Sequence, residues 1–167
     1  MTDPVINIYR QQAIGFAPEN SNRFGASMAS VSEMLGLEGI GCNFLTVEPG
    51  KRAFPFHNHL ANDELFVILE GSGTYRIGDR ECPVKAGDLC AAPRGGPDTA
   101  HQIINTGDGP LKYLAISTRN DPEIVEYPDS DKFAAIGIRP GSGFFDAHLR
   151  FIGRKENSME YFEGEEL

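Results

Sequence analysis

Between residues 40 and 118 the apolar positions fall in short runs separated by Gly, Pro and Asp. Ile40 to Val47 is one partly β-branched run, stopped by Glu48-Pro49-Gly50. Glu64 to Leu69 is a second, stopped by Gly71-Ser72-Gly73. Thr74 to Ile77 and Arg80 to Val84 flank Gly78-Asp79, a two-residue hairpin signal. Leu89 to Ala92, His101 to Asn105 and Leu111 to Thr118 complete the series. Strands recurring at about 8–12 residues between turn formers predict an all-β sandwich or barrel. No helical pattern alternates with them, which argues against a parallel α/β sheet. Within the second run Glu64, Phe66 and Ile68 share one face, and Leu65, Val67 and Leu69 the other. With both faces apolar, that strand is predicted to be central and buried on both sides.

The flanks are less regular. Val5 to Tyr9 alternates like a short strand, and Ala26 to Leu37 reads as a short helical stretch ended at Gly39. Downstream, Glu123 to Tyr127 and Lys132 to Ile138 read as strands. Phe144-Phe145 and Phe151-Ile152 read as apolar pairs covering a sheet edge or a partner. The expected organisation is an N-terminal arm over residues 1–39, a barrel core over 40–120, and an extension over 121–167 that covers the barrel or a dimer partner. Leu65, Val67 and Leu69 form an apolar outer face, and such faces are rarely left bare on monomers. A homodimer is therefore expected.

Charge narrows the function. The 167 residues carry 15 Lys and Arg against 24 Asp and Glu, a formal net charge of −9. An acidic chain with no basic run is a poor partner for nucleic acid or an anionic membrane. No apolar stretch approaches the length of a membrane-spanning helix, and residues 1–10 lack a secretory pattern, so a cytoplasmic protein is expected. Cys42, Cys82 and Cys90 are scattered, with no CxxC pair, and read as small strand hydrophobes. The acidic end, Glu156 to Leu167, reads as a solvated tail, with Tyr161-Phe162 pointing to partial docking.

The chemistry lies in three of the four His. His57-Asn58-His59 puts two imidazoles on one strand face, where they can share a metal ion. Asn62-Asp63 is turn-prone, so Glu64 can open the next strand facing the same point. A carboxylate there is costly unless it is paired or coordinated. His101 opens a later strand that antiparallel pairing can bring alongside. Three imidazoles and a carboxylate suit one divalent transition metal, Fe, Mn, Ni, Co, Cu or Zn, rather than Ca. His148 reads as a surface or interface residue. Arg52 and Arg94 stand beside the two His segments, where either can meet an anionic ligand or simply be solvated.

The order of these residues resembles the cupin superfamily. Its first motif is matched by Gly50, His57-Asn58-His59, Glu64 and Gly71, with one extra residue before the His pair. Its second is matched by Gly87, Pro93-Arg94-Gly95, His101 and Asn105, with three extra residues between Gly95 and His101. The resemblance implies a double-stranded β-helix, or jelly-roll barrel, with a short N-terminal helical stretch. It implies metal positions at His57, His59, Glu64 and His101, and places the longer Gly96–Ala100 loop at the barrel mouth. The function it implies is metal-dependent binding of a small polar or anionic metabolite, with turnover of the dioxygenase or sugar/sugar-phosphate isomerase type. The alternative is a non-catalytic, metal-assisted binder or sensor.

Overall fold

The computed structural model describes residues 3–139 and 147–166. Thirteen antiparallel strands, one short α-helix and four 3-10 turns make up the regular structure of that part. In chain order the strands and the α-helix are β1 (Ile14–Phe16), β2 (Ala26–Ser30), α1 (Val31–Leu35), β3 (Ile40–Val47), β4 (Asn58–His59), β5 (Glu64–Glu70) and β6 (Ser72–Ile77). There follow β7 (Arg80–Lys85), β8 (Leu89–Ala92), β9 (His101–Ile104), β10 (Leu111–Thr118), β11 (Glu123–Tyr127), β12 (Lys132–Gly137) and β13 (Leu149–Gly153).

A six-stranded sheet runs β1-β2-β3-β10-β5-β8, a four-stranded one β13-β12-β11-β4, and a three-stranded one β7-β6-β9. A bridge between His57 and His101 joins the last two. The result is all-β, as the strand punctuation predicts, and is the double-stranded β-helix that the cupin resemblance implies. β10 pairs with β3 along its whole length, from Leu111 opposite Val47 to Thr118 opposite Ile40. The Gly78-Asp79 hairpin forms as read, with Ile77 opposite Arg80.

The barrel core is the inward set of that alternation. Leu45, Val47, Phe66, Ile68, Tyr75, Cys90, Ile103, Leu111 and Tyr113 form one buried cluster. Each large apolar side chain so buried is worth about 1.5–3 kcal/mol. β5 is inward at Phe66 and Ile68, as its parity requires, but its outer face is only partly covered, and Leu65 stays 38% exposed. What covers the neighbouring strands is the N-terminal segment: Ile6, Ile8, Val31 and Leu35 pack with Phe44, Leu69, Leu114 and Ile116.

Gly71 joins β5 to β6 at φ +81°, and a Cβ there would lie 2.5 Å from the Pro110 carbonyl oxygen. Both the backbone angle and the close approach require glycine.

Several flanking elements differ from expectation. Val5 to Tyr9 is not a strand. Ile8–Arg10 is a 3-10 turn, capped where the Asn7 side chain accepts the Tyr9 N–H at 3.0 Å. Ala26 to Leu37 is only partly helical, because Ser27 to Ser30 pair with β3 and draw that half into the sheet. The helix ends at Gly36, in the left-handed conformation, not at Gly39. β1 is too short for its period to show. Phe151-Ile152 belongs to an edge strand paired with β12, whereas Phe144-Phe145 lies outside the described residues. Tyr161 and Phe162 pack edge-on against each other and remain 89% and 62% exposed, so they do not dock on their own barrel.

Candidate metal centre

Strand alternation assembles the site. His57 and His59 project to one side of the β4 segment, while Asn58 turns the other way. There the Asn58 amide donates to Gly95 O at 2.7 Å and to Glu126 at 3.0 Å. His57 and His101 exchange both backbone hydrogen bonds, at 3.2 and 2.8 Å, which sets the two imidazoles side by side. Glu64 opens β5 opposite them. Its Oε2 lies 2.8 Å from His101 Nε2, 3.5 Å from His59 Nε2 and 3.9 Å from His57 Nε2. One ligand-type atom from each of the four residues lies within 4.8 Å of all the others. Each of the four expected residues is thus brought to one point.

The backs of the imidazoles explain why Nε2 faces that point. His57 Nδ1 is 2.7 Å from Pro55 O and His101 Nδ1 is 3.3 Å from Thr99 O. A carbonyl only accepts, so Nδ1 is the donor on both rings, which turns Nε2 toward Glu64. His59 differs: its Nδ1 lies 3.5 Å from Glu123 Oε2. Both of its ring nitrogens are buried without a satisfied hydrogen bond. Buried polar atoms without partners are rare, and a cation ligated by Nε2 would satisfy one of them. The donor set therefore fits a divalent transition metal.

Charge is strongly coupled here. Burial and the adjacent His101 imidazole push His57 down to about 4. Burial opposes charging of His59 too, but the Glu123 and Glu64 carboxylates outweigh it and raise His59 to about 9. Burial likewise opposes ionisation of Glu64, yet His101 and His59 hold it well below the usual carboxylate range.

The floor is apolar and aromatic. The Phe66 ring centre is 5.4 Å from that of His101, and Tyr75 lies behind, donating its hydroxyl to Ala91 O at 2.9 Å. His101 is sealed at 2% side-chain exposure, while His57, His59 and Glu64 keep 15%, 18% and 15%. The open side is therefore theirs. Tyr127 stacks over His57 at 6.2 Å between ring centres, and Phe54 meets the same ring edge-on at 6.5 Å. The lengthened loop before His101 folds into a 3-10 turn at Pro97–Thr99. It is tied at both ends, Gly95 N–H to His59 O and Gly78 N–H to Ala100 O, each at 2.8 Å.

Other candidates lie elsewhere. Arg52 pairs with Ile104 and places its guanidinium 5.9 Å from the Phe24 ring centre. Arg94 is on the surface, and Asp63 serves the turn by accepting the Arg94 N–H at 2.9 Å. His148 is exposed. Cys42 and Cys90 are buried free thiols, and burial raises Cys90 to about 11, which suits packing rather than nucleophilic attack. Asn105, the last residue of the second motif, is wholly buried and donates to Val47 O and Gly109 O at 2.7 and 2.9 Å. Two residues near the His pair escaped the sequence reading, Glu123 and Tyr127. The usable signal was the one that marked Glu64: a carboxylate in register with apolar positions, here Val125 and Tyr127, at the start of a strand.

Comparison with known proteins agrees with this architecture. The Cupin domain model matches residues 43–117. An oxalate-binding protein of Thermotoga maritima is 37% identical over 60 residues, covering 36% of this chain and 47% of its own length. Auxin-binding protein 1 of Arabidopsis thaliana is 31% identical over 122 residues, covering 66% of this chain and 59% of its own length. The chain thus spans about half of the curated relatives it matches. Among solved structures, a sugar phosphate isomerase of the cupin superfamily from Silicibacter pomeroyi superposes with a TM-score of 0.68 at 29% identity, covering 80% of this chain and 78% of that one. Barrel topology, motif order and these likenesses together place the chain in the cupin superfamily.

Proposed function

We propose that His57, His59, Glu64 and His101 hold one divalent transition metal, and that the barrel takes a small polar or anionic metabolite carrying oxygens on neighbouring carbons. The convergence of three Nε2 atoms on the Glu64 carboxylate carries this reading. A metal bound there supplies Lewis-acid polarisation of a substrate oxygen. The chain's own residues do the rest. Phe66, Ile68 and Ile103 keep water from the floor, where low dielectric strengthens polar contacts. His57, His59 and Glu64 face the open side and admit the ligand. Tyr127, stacked on His57, places an aromatic face over it.

Two comparisons support ligands of that chemistry. Oxalate, bound by the Thermotoga relative, and a sugar phosphate, substrate of the Silicibacter neighbour, both present adjacent oxygens. The reading favoured is an oxygen-independent isomerase of a sugar or sugar phosphate, on the strength of the longer coverage by the Silicibacter neighbour. The second reading, a metal-assisted binder, rests on the Thermotoga relative. The test is a product screen on metal-loaded protein, with and without oxygen, across sugars, sugar phosphates and small dicarboxylates. Interconversion without oxygen supports the isomerase. Tight binding without product supports the binder, and product only with oxygen overturns both in favour of a dioxygenase.

A further inference from the structure

We propose that Glu123 is a positioning residue for the metal centre, fixing the orientation of His59 from behind; the proposal rests on the metal reading above. Glu123 lies on β11, outside the matched cupin domain at residues 43–117. β11 pairs with the His-bearing strand, Val125 opposite His59 and Glu126 opposite Asn58.

Glu123 is a carboxylate at 7% exposure, which is costly unless every oxygen is used. One oxygen accepts the Ala61 N–H at 3.1 Å. The other accepts the Asn62 amide and faces His59 Nδ1. Asn62 is itself pinned: its amide donates to Asn120 O at 3.0 Å, and its oxygen accepts from Thr118 Oγ1 at 2.9 Å and Asn120 N–H at 2.6 Å. The carboxylate is therefore held from two sides and aimed at one imidazole nitrogen.

His57 and His101 have neutral backbone carbonyls in the equivalent place. Glu123 is the only charged acceptor behind an imidazole of this set among the described residues. An acceptor behind a ligating imidazole fixes its tautomer and ring angle and raises its basicity, and losing one typically costs about 10–100-fold in metal affinity. Glutamine cannot substitute: it offers one oxygen to three donors, and its amide must face one of them.

The experiment measures Co(II) affinity and the Co(II) visible spectrum for wild type, Glu123→Gln, His59→Ala and the double variant. The expected result is a loss of affinity of about 10–100-fold and an altered ligand-field band for Glu123→Gln. In the His59→Ala background the same change should have no further effect, because an effect transmitted through His59 is not additive with its removal. Equal affinity in wild type and Glu123→Gln overturns the proposal and leaves the metal reading standing. An equal drop in both backgrounds assigns Glu123 to folding and also overturns it. Wild type that binds no Co(II) overturns the metal reading, and the proposal with it. Should Glu123→Gln not fold, the Zn(II)-loaded wild type gives the readout by NMR. The His59 Nδ1–H should be protected from exchange and further downfield than those of His57 and His101. Exchange as fast as in free imidazole overturns the proposal.

Discussion

Metal binding to this site should expel a proton, and the proton comes from His59. In the metal-free protein the two flanking carboxylates raise His59 to about 9, so at pH 7 the ring is charged and must lose its proton to ligate. His57, held near 4, is already neutral, and Glu64 is already ionised, so neither adds to this cost. Displacing a proton about two pH units below its pKa costs about 2.7 kcal/mol, or about 100-fold in affinity, relative to pH above 9. Apparent affinity should therefore climb about tenfold per pH unit above neutrality and level off near 9. Calorimetric titration with Co(II) at several pH values, in buffers of different ionisation heat, measures both the slope and the protons released. Stability supplies a check of opposite sign. A raised histidine contributes stability that is complete below its ordinary 6.5 and lost as pH rises through about 9, so the metal-free protein should lose thermal stability across that window. In the metal-saturated protein the ligated ring carries no proton, so stability should stay flat across the same window. An affinity flat from pH 7 to 9, with no proton released, would refute this reasoning.

Other outcomes follow from packing. Phe66→Ala should cost about 3–5 kcal/mol, since the ring is buried against His101, Tyr75 and Tyr113; a chemical-denaturation midpoint close to wild type would contradict it. Gly71→Ala should cost about 1–3 kcal/mol from its positive φ alone, with the Pro110 carbonyl contact added; thermal melting of the variant tests it. Leu65 and Leu89 stay exposed on adjacent strands, and we propose that they help pair two copies of the chain. Light scattering should give twice the chain mass at micromolar concentration, and the Leu65→Lys variant should shift it toward one.

The barrel was legible because its strands are written twice, once as alternation and once as punctuation. Ile40–Val47, Leu89–Ala92 and Leu111–Thr118 begin and end where their turn residues put them. The clustering of the four candidate residues was legible for a related reason. Strand parity fixes the face of His57 and His59, and Asn62-Asp63 permits the reversal that returns Glu64 to them. What stayed hidden depends on contacts distant in sequence. Ala26 to Ser30 has weak local preference, and pairing with β3 decides its form. Ile6 and Ile8 look like a strand, yet their role is to cover the outer face of the large sheet. Glu123 was read only as a strand start, because nothing local shows that its strand lies against the His pair.

Metal content tests the central claim most directly. Elemental analysis should be run on wild type, His59→Ala, Glu64→Ala and His101→Ala, each purified without chelator and checked for fold by circular dichroism. The account predicts about one transition-metal ion per wild-type chain and a small fraction of that in each folded variant. Equal metal content in all four proteins would contradict it.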